Sequence, residues 1–147
     1  MSKWIVLMPL ALFFGGCSSN DDDDSGDGPT AVTATLGEWF IDLDPPTVPA
    51  GAVAFDVVNE GEDLHELVVL RTELAEDALP TNADGTVDEE GEGVEAVDEI
   101  EDIAGGGGGD LTVDLTAGHY VLVCNLSEEE EAENHYAEGM HATLTVE

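Results

Sequence analysis

The chain has very few basic residues: 2 Lys and Arg stand against 35 Asp and Glu among 147 residues, a net charge of −33. Lys3 lies in a segment that we expect to be removed, which would leave Arg71 alone. Such a surface repels phosphate, so binding to nucleic acid is excluded, and docking on an anionic membrane would need a covalent anchor. Because about 1 M salt shortens the Debye length to ~3 Å, we interpret the acidity as halophilic adaptation. Acidic loops in ordinary salt are the alternative.

The N-terminal apolar run is short. Trp4–Phe14 has eleven residues, too few to span a hydrocarbon core of about 30 Å but suited to a secretory leader. Gly15 and Gly16 precede Cys17 as in a lipobox, so Cys17 is predicted to be lipidated and to become the new N-terminus. No twin-Arg pair is present, which argues against export in the folded state. The alternative is an ordinary signal peptide with an incidental cysteine.

The chain is predicted to have three parts. Residues 1–17 form the leader, and residues 18–30 form an acidic stretch with no apolar residue to bury, predicted to be a disordered tether. Residues 31–147 form one domain, since hydrophobic residues still make up 42% of the chain. These parts predict an exported protein, lipid-anchored at the extracellular face of the cell membrane.

The domain has the pattern of short strands separated by Gly and Pro turns, which predicts an all-β antiparallel sandwich with acidic loops. One short helix is expected over Thr72–Ala78. Tyr120–Cys124 is apolar throughout, as in a strand buried on both faces. The predicted strands are Ala31–Asp42, Val53–Val58, Leu64–Arg71, Leu111–Leu115, Tyr120–Cys124 and Ala142–Val146.

Leu79–Gly109 is rich in Asp, Glu and Gly and is predicted to be a long surface excursion with one edge strand, Val94–Ile103. The five glycines Gly105–Gly109 are interpreted as a flexible joint. The run has no Lys and follows an acidic segment, so it is not a phosphate-binding loop.

Four residues carry the chemistry. If Cys17 is lipidated, Cys124 is left as an unpaired thiol in an oxidising compartment. Free cysteines are unusual there, so Cys124 is expected to have a function. Together with His65, His135 and Met140 it makes up the His₂CysMet ligand set of a type 1 copper site. The soft sulfur ligands favour Cu(I) and the imidazoles also suit Cu(II), which lets an electron move with little rearrangement. A thiol-protease pair of Cys124 with His135 is rejected, because no oxyanion donor or third member is evident.

Neighbouring side chains are assigned lesser roles. His119 lies on the opposite face of its strand from Cys124, about 16 Å away, so it cannot share a metal with it. Glu66 and Asn125 adjoin ligands and are expected to hold them by hydrogen bonds. Trp39 and Phe40 are expected to pack inside the sandwich.

Several segments together resemble the cupredoxins, in particular the plastocyanin-like and halocyanin-like blue copper proteins. The resemblance covers residues 31 to 147 and implies a Greek-key β-sandwich with one copper ion at one end. It implies that His65 comes from a loop-to-strand junction, and that the other three ligands come from the last strand–loop–strand. The spacing from His135 to Met140 matches the family, so Met140 is chosen as the axial ligand over the adjacent His141. The resembling segments are Thr47–Gly51, Val57–Gly61, His65–Leu67, Ala117–Asn125 and His135–Met140.

The chain departs from the family in one place. The family usually has four residues between the Cys and His ligands, whereas Asn125–Asn134 is ten residues long and acidic. The longer loop costs only about 0.7 kcal/mol in closure entropy, so it does not exclude the site.

The resemblance implies a monomeric one-electron carrier, not an enzyme, exchanging electrons with redox partner proteins of a membrane electron-transport chain. Two alternatives remain: a copper-binding and delivery protein with the same ligands, and an interaction module that has the cupredoxin-like sandwich without a metal.

Overall fold

The computed structural model describes residues 28–128 and 133–147. The predicted leader with Cys17, and residues 18–27 of the predicted tether, lie outside the described residues. Within the described part, no helix has the length and apolarity needed to cross a membrane. In chain order the elements are β1 (Thr30–Gly37), β2 (Phe40–Asp44), β3 (Thr47–Val48), β4 (Gly51–Asn59), β5 (His65–Thr72), β6 (Val94–Ile103), β7 (Gly108–Leu115), β8 (Gly118–Val123), β9 (Ser127–Glu128), β10 (Glu133–Asn134), α1 (His135–Glu138) and β11 (His141–Val146).

The strands form two sheets that pack face to face. One has the order β2-β1-β4-β7 and the other has the order β3-β11-β8-β5-β6, while β9 and β10 make a separate small hairpin. β1 runs parallel to β4 and β3 runs parallel to β11, and the remaining neighbours are antiparallel. The predicted β-sandwich is therefore confirmed.

The main core lies between the two sheets and follows from alternation along the strands. In β4, Val53, Phe55 and Val57 point inward and are almost fully buried, while the residues between them are more exposed. Burying such side chains contributes roughly 25 cal/mol per Å² of apolar area removed from water. The facing sheet contributes Leu67, Val69, Tyr120, Leu122 and Leu144.

A second core covers the outer face of the five-stranded sheet. Val68 and Leu70 of β5 and Val121 and Val123 of β8 point outward, yet they are buried. The segment after β5 covers them, and Leu79, Val87 and Tyr136 belong to the same cluster. β8 is thus buried on both faces, as predicted, and the 79–109 segment is not wholly a surface excursion.

The predicted strand Ala31–Asp42 is divided by a hairpin. β1 and β2 pair in antiparallel register, with Gly37 opposite Phe40, so the chain turns at Glu38 and Trp39. Trp39 has a φ of 68°, a left-handed conformation uncommon outside glycine. A Cβ atom on Gly37 would overlap the Phe40 ring, so a larger residue there would require this exposed ring to move.

The predicted helix at Thr72–Ala78 is wrong. Thr72 is the last residue of β5, and its hydroxyl donates to the Gly93 carbonyl at 2.7 Å and accepts from Leu74 N–H at 3.1 Å. This side chain competes with the backbone bonding of a helix and turns the chain instead. The short helix of the described chain is α1, four residues long.

The edge strand predicted at Val94–Ile103 is confirmed as β6. The glycine run after it is part of the fold rather than a flexible joint. Gly108 and Gly109 begin β7, where they lie opposite Val58 and Val57 of β4. A Cβ on Gly108 would collide with the Val57 carbonyl, so the close approach of the strands needs glycine.

Arg71, near the end of β5, is the only Lys or Arg among the described residues. Its guanidinium donates to Thr116 Oγ1 at 3.0 Å and to the Ala117 carbonyl at 3.3 Å. It also lies 6.0 Å from the centre of the Tyr120 ring, within reach of a cation–π interaction. The cation is thus fixed at the β7–β8 turn.

Candidate metal centre

The predicted site residues come from segments that meet at one end of the five-stranded sheet. His65 is the first residue of β5, and Cys124 directly follows β8. Because these two strands are antiparallel neighbours, the start of one lies beside the end of the other. His135 begins α1, and Met140 comes immediately before β11. All four residues are at most 1% exposed.

The long segment between Cys124 and His135 closes on itself as a hairpin. Ser127 and Glu128 of β9 pair with Asn134 and Glu133 of β10, so the ends of the spacer lie side by side. The His135 amide then donates to the Leu126 carbonyl at 3.0 Å. The pairing thus brings the two described ends of the spacer together, and residues 129–132 lie outside the described residues.

The three nitrogen and sulfur donors form a compact triangle. His65 Nδ1 and His135 Nδ1 are 3.2 Å apart, Cys124 Sγ lies 3.3 Å from His135 Nδ1, and it lies 3.9 Å from His65 Nδ1. Donors about 2.0 to 2.3 Å from one ion, the range for Zn–N and Zn–S bonds, stand roughly 3 to 4 Å from one another. The described residues thus bring together a group able to hold one metal ion.

Met140 is tied to this triangle through its backbone. Its N–H donates to the His135 carbonyl at 3.0 Å, and its carbonyl accepts from the Cys124 N–H at 3.1 Å. The side chain is buried in the same apolar cluster as Cys124. The assignment of Met140 as a metal ligand stays a prediction, as does that of the other three residues.

Burial dominates the electrostatics of the thiol. It raises the pKa of Cys124 to about 11, because the low-dielectric interior disfavours the thiolate. The Glu66 N–H opposes this effect by donating to Cys124 Sγ at 3.4 Å. A metal ion must therefore displace a proton from this sulfur when it binds, as thiolate ligation generally requires.

The fold agrees with what comparison to solved structures finds. An auracyanin from Roseiflexus castenholzii is 22% identical; the match covers 82% of this chain and 99% of that one, with a TM-score of 0.58. Auracyanin A, a "blue" copper protein from Chloroflexus aurantiacus, is 22% identical; the match covers 82% of this chain and 100% of that one, with a TM-score of 0.58. Rusticyanin from Thiobacillus ferrooxidans is 19% identical; the match covers 82% of this chain and 79% of that one, with a TM-score of 0.54. No protein-family model and no curated protein matches the chain.

These neighbours are cupredoxins. The chain has the cupredoxin fold. The likeness spans nearly the full length of the two auracyanins, so the fold predicted from the resembling segments is confirmed.

Glu66 and Asn125 were expected to hold ligands by hydrogen bonds, and the structure shows such a bond for Glu66 but not for the Asn125 side chain. Glu66 touches the sulfur with its backbone N–H, while its side-chain Oε1 accepts from the Asn125 N–H at 3.0 Å. Burial raises the pKa of Glu66 to about 7, and the Asn125 N–H partly offsets the shift. The Asn125 side chain points to Val87 and Glu89 and contacts no predicted ligand side chain.

Glu38, at the β1–β2 turn, is a neighbour of the site that sequence reasoning missed. Its Oε1 lies 3.6 Å from His65 Nε2. Burial and the nearby His135 lower the pKa of His65, which Glu38 partly counteracts. No local pattern marks this contact, since Glu38 and His65 are far apart in sequence and meet only after both sheets have formed.

Trp39 was expected to pack in the sandwich, and it also covers the site. Its ring lies edge-on to the His135 imidazole, with ring centres 5.2 Å apart. Phe40 was expected to be packed too, but it is 43% exposed. The expectation for Phe40 is wrong because in β2 it alternates with the buried Ile41 and so faces outward.

The other two histidines of the cupredoxin domain lie apart from the donor triangle. His119 Nδ1 lies 2.7 Å from the Thr72 carbonyl. His141 stacks at a tilt on Tyr136, and its Nδ1 is 3.4 Å from Glu76 Oε1. Neither belongs to the group of His and Cys side chains that could hold a metal.

Proposed function

We propose that this chain is a blue (type 1) copper protein that carries single electrons. The observation that carries the proposal is the buried triangle of His65 Nδ1, His135 Nδ1 and Cys124 Sγ at one end of a cupredoxin fold. Met140, tied by its backbone to two of these residues, would help to hold the ion through its thioether sulfur.

The donor set fits copper better than other metals. Two imidazoles and one thiolate in a triangle, with a thioether nearby, suit an ion that cycles between Cu(I) and Cu(II). A copper ion bound there would supply the redox couple, giving one electron to an acceptor and regaining one from a donor. No bond of the protein is made or broken in this exchange.

The protein itself holds the donor atoms in a rigid arrangement and excludes water from them. His65 and Cys124 lie at the ends of buried, paired strands, and the ends of the spacer before His135 are fixed by the β9–β10 hairpin. Close-packed surroundings resist rearrangement. Electron transfer is fastest when the ligands move little between the two oxidation states.

We propose that this carrier is exported and held at the extracellular face of the membrane by a lipid on Cys17. The support is in the sequence: an eleven-residue apolar run, two glycines and then Cys17, followed by an acidic stretch long enough to act as a tether. There it would exchange electrons with redox proteins of a membrane electron-transport chain, in a very salty medium.

Addition of Cu(II) to the full chain in concentrated salt tests the metal site. We expect an intense visible band from thiolate-to-copper charge transfer, a matching electron spin resonance signal, and a reversible one-electron potential. Cys124→Ser should abolish the band, whereas the matched variant Cys17→Ser should keep it. A wild-type chain that stays colourless would refute the proposal, and rapid loss of Cu(I) to a chelator would favour copper delivery.

A further inference from the structure

Glu38 reaches from the β1–β2 turn to the loop that precedes β5. Its Oε1 accepts hydrogen bonds from the N–H groups of Glu62 at 2.8 Å and Asp63 at 3.0 Å. These two bonds fix the carboxylate over the segment that leads to His65. They also hold the pKa of Glu38 below its ordinary value, so the group is charged at neutral pH.

The same oxygen faces a ring nitrogen that lacks a partner. His65 is fully buried, and its Nε2 makes no hydrogen bond within the described structure. Glu38 Oε1 lies 3.6 Å from this nitrogen, slightly beyond hydrogen-bond length. A buried ring N–H without an acceptor is costly, and a small side-chain adjustment would close the gap.

The backbone leaves room for this carboxylate. A Cβ atom on Gly61 would collide with the carboxyl group of Glu38. Gly61 has no side chain, and its own N–H is bonded to Asn59 Oδ1 at 2.9 Å. The loop before His65 therefore has a space that the Glu38 carboxylate fills.

We propose that Glu38 is a positioning residue of the metal centre, its carboxylate accepting the Nε2–H of His65 so that the Nδ1 lone pair faces Cys124 and His135. The inference rests on the proposed copper-binding function. Metal-ligating histidines commonly donate their second ring nitrogen to a carboxylate or carbonyl, which fixes the tautomer and raises ligand basicity. Here the partner is a full negative charge, which favours the more positive Cu(II) state over Cu(I).

Three variants separate charge from contact. Glu38→Gln keeps the shape and an acceptor oxygen but removes the charge, and Glu38→Ala removes both. Glu62→Gln is the matched control, because it removes an equal charge from an exposed side chain in the same loop, and this side chain forms no hydrogen bond or ion pair with His65 among the described residues. Its backbone N–H, which bonds to Glu38, is retained.

The metal-free chain gives the first readout, nitrogen NMR of the His65 ring. We expect the Nε2–H tautomer in the wild type and in Glu62→Gln, and a mixture of tautomers in Glu38→Ala. In the copper-loaded chain, losing the charge should weaken Cu(II) binding relative to Cu(I) by about tenfold, the lower end of effects seen for such partners. A tenfold change corresponds to a rise of about 59 mV in a one-electron potential.

The outcomes distinguish this inference from the function on which it rests. If the wild type forms the coloured site and the Glu38 variants match Glu62→Gln in both tautomer and potential, the role of Glu38 is overturned and the copper function stands. If the wild type forms no coloured site, the copper function fails. The NMR of the metal-free chain then still reports whether Glu38 orients His65.

Discussion

The side chain of Asn125 is joined to the backbone of Val87 by two hydrogen bonds. Asn125 Oδ1 accepts from Val87 N–H at 2.6 Å, and Nδ2 donates to the Val87 carbonyl at 3.0 Å. Asn125 directly follows Cys124, and Val87 lies in the acidic segment that covers the outer core. The residue beside the thiol therefore binds the 79–109 segment to the donor end of the sandwich.

Asn125→Ala should destabilise the fold by about 1 to 3 kcal/mol, because the buried N–H of Val87 loses its acceptor. Asn82→Ala is the control, since Asn82 is exposed and its bonds lie within the same loop. Its effect should stay within about 0.5 kcal/mol. Urea unfolding of both variants measures the difference. Equal midpoints would show that the Asn125–Val87 pair does not stabilise the chain.

Trp39→Ala should expose the His135 ring. His135 is 1% exposed, and the Trp39 indole lies against it, so removing the indole opens a path for small reagents. Diethyl pyrocarbonate should then modify His135 of the metal-free chain several-fold faster, as followed by mass spectrometry. Phe40→Ala, which removes an exposed aromatic side chain next to Trp39, should leave the rate unchanged. Unchanged protection in Trp39→Ala would mean that other groups shield the ring.

Gly105→Ala should destabilise the chain, by about 1 to 3 kcal/mol, because its Cβ would overlap the backbone of Glu62. The turn is bonded to this loop by Gly106 N–H, which donates to the Gly61 carbonyl at 3.2 Å. Gly28→Ala, with open space around the added atom and no positive φ, should be nearly neutral. Thermal unfolding compares the two. A flexible glycine joint would tolerate both changes equally.

Glu99→Gln should stabilise the fold, most strongly at high pH and low salt. Burial and the nearby carboxylates of Glu89 and Glu101 raise the pKa of Glu99. When the pKa of a carboxyl group is higher in the folded state than in the unfolded state, the group does not destabilise the fold at a pH below its unfolded-state pKa. It destabilises the fold progressively as the pH rises through its folded-state pKa. Glu99→Gln removes this loss of stability, because the glutamine side chain does not ionise. Its advantage in thermal midpoint should therefore be small near pH 4, larger near pH 8, and reduced in about 1 M salt.

Glu95→Gln serves as the control for this experiment, because it neutralises an exposed carboxylate on the same strand, β6. A general relief of charge repulsion would stabilise both variants to the same degree. The local environment of Glu99 predicts a larger effect, with its own pH dependence.

Local patterns were enough to predict much of this fold. Alternation in Val53–Val58 and the unbroken apolar run Tyr120–Cys124 predict strands with the correct faces buried, because these patterns reflect the pleat directly. The Val94–Ile103 strand was predicted with its correct bounds. The donors His65, Cys124 and His135 were selected by their chemistry, and the structure brings them together.

What was missed depends on contacts between distant segments. The turn at Trp39 has a left-handed residue that is not glycine, so no sequence signal marks it. At the end of β5, the Thr72 hydroxyl donates a hydrogen bond to the carbonyl of Gly93, twenty-one residues away. Helix propensity is a local property and does not include such a contact. Glu38 reaches His65 only across the assembled sandwich, and the second core depends on a segment whose composition is typical of loops.

Arg71 lies near the end of β5 that is farther from the donor cluster. β5 begins at His65 and carries Arg71 near its other end, about 20 Å away at 3.3 Å per residue. With that cation fixed beside Thr116 and Ala117, the donor end has no Lys or Arg of its own among the described residues. A cation near this end would therefore meet no repelling Lys or Arg of the described residues, and in about 1 M salt the mobile ions would screen such interactions beyond ~3 Å.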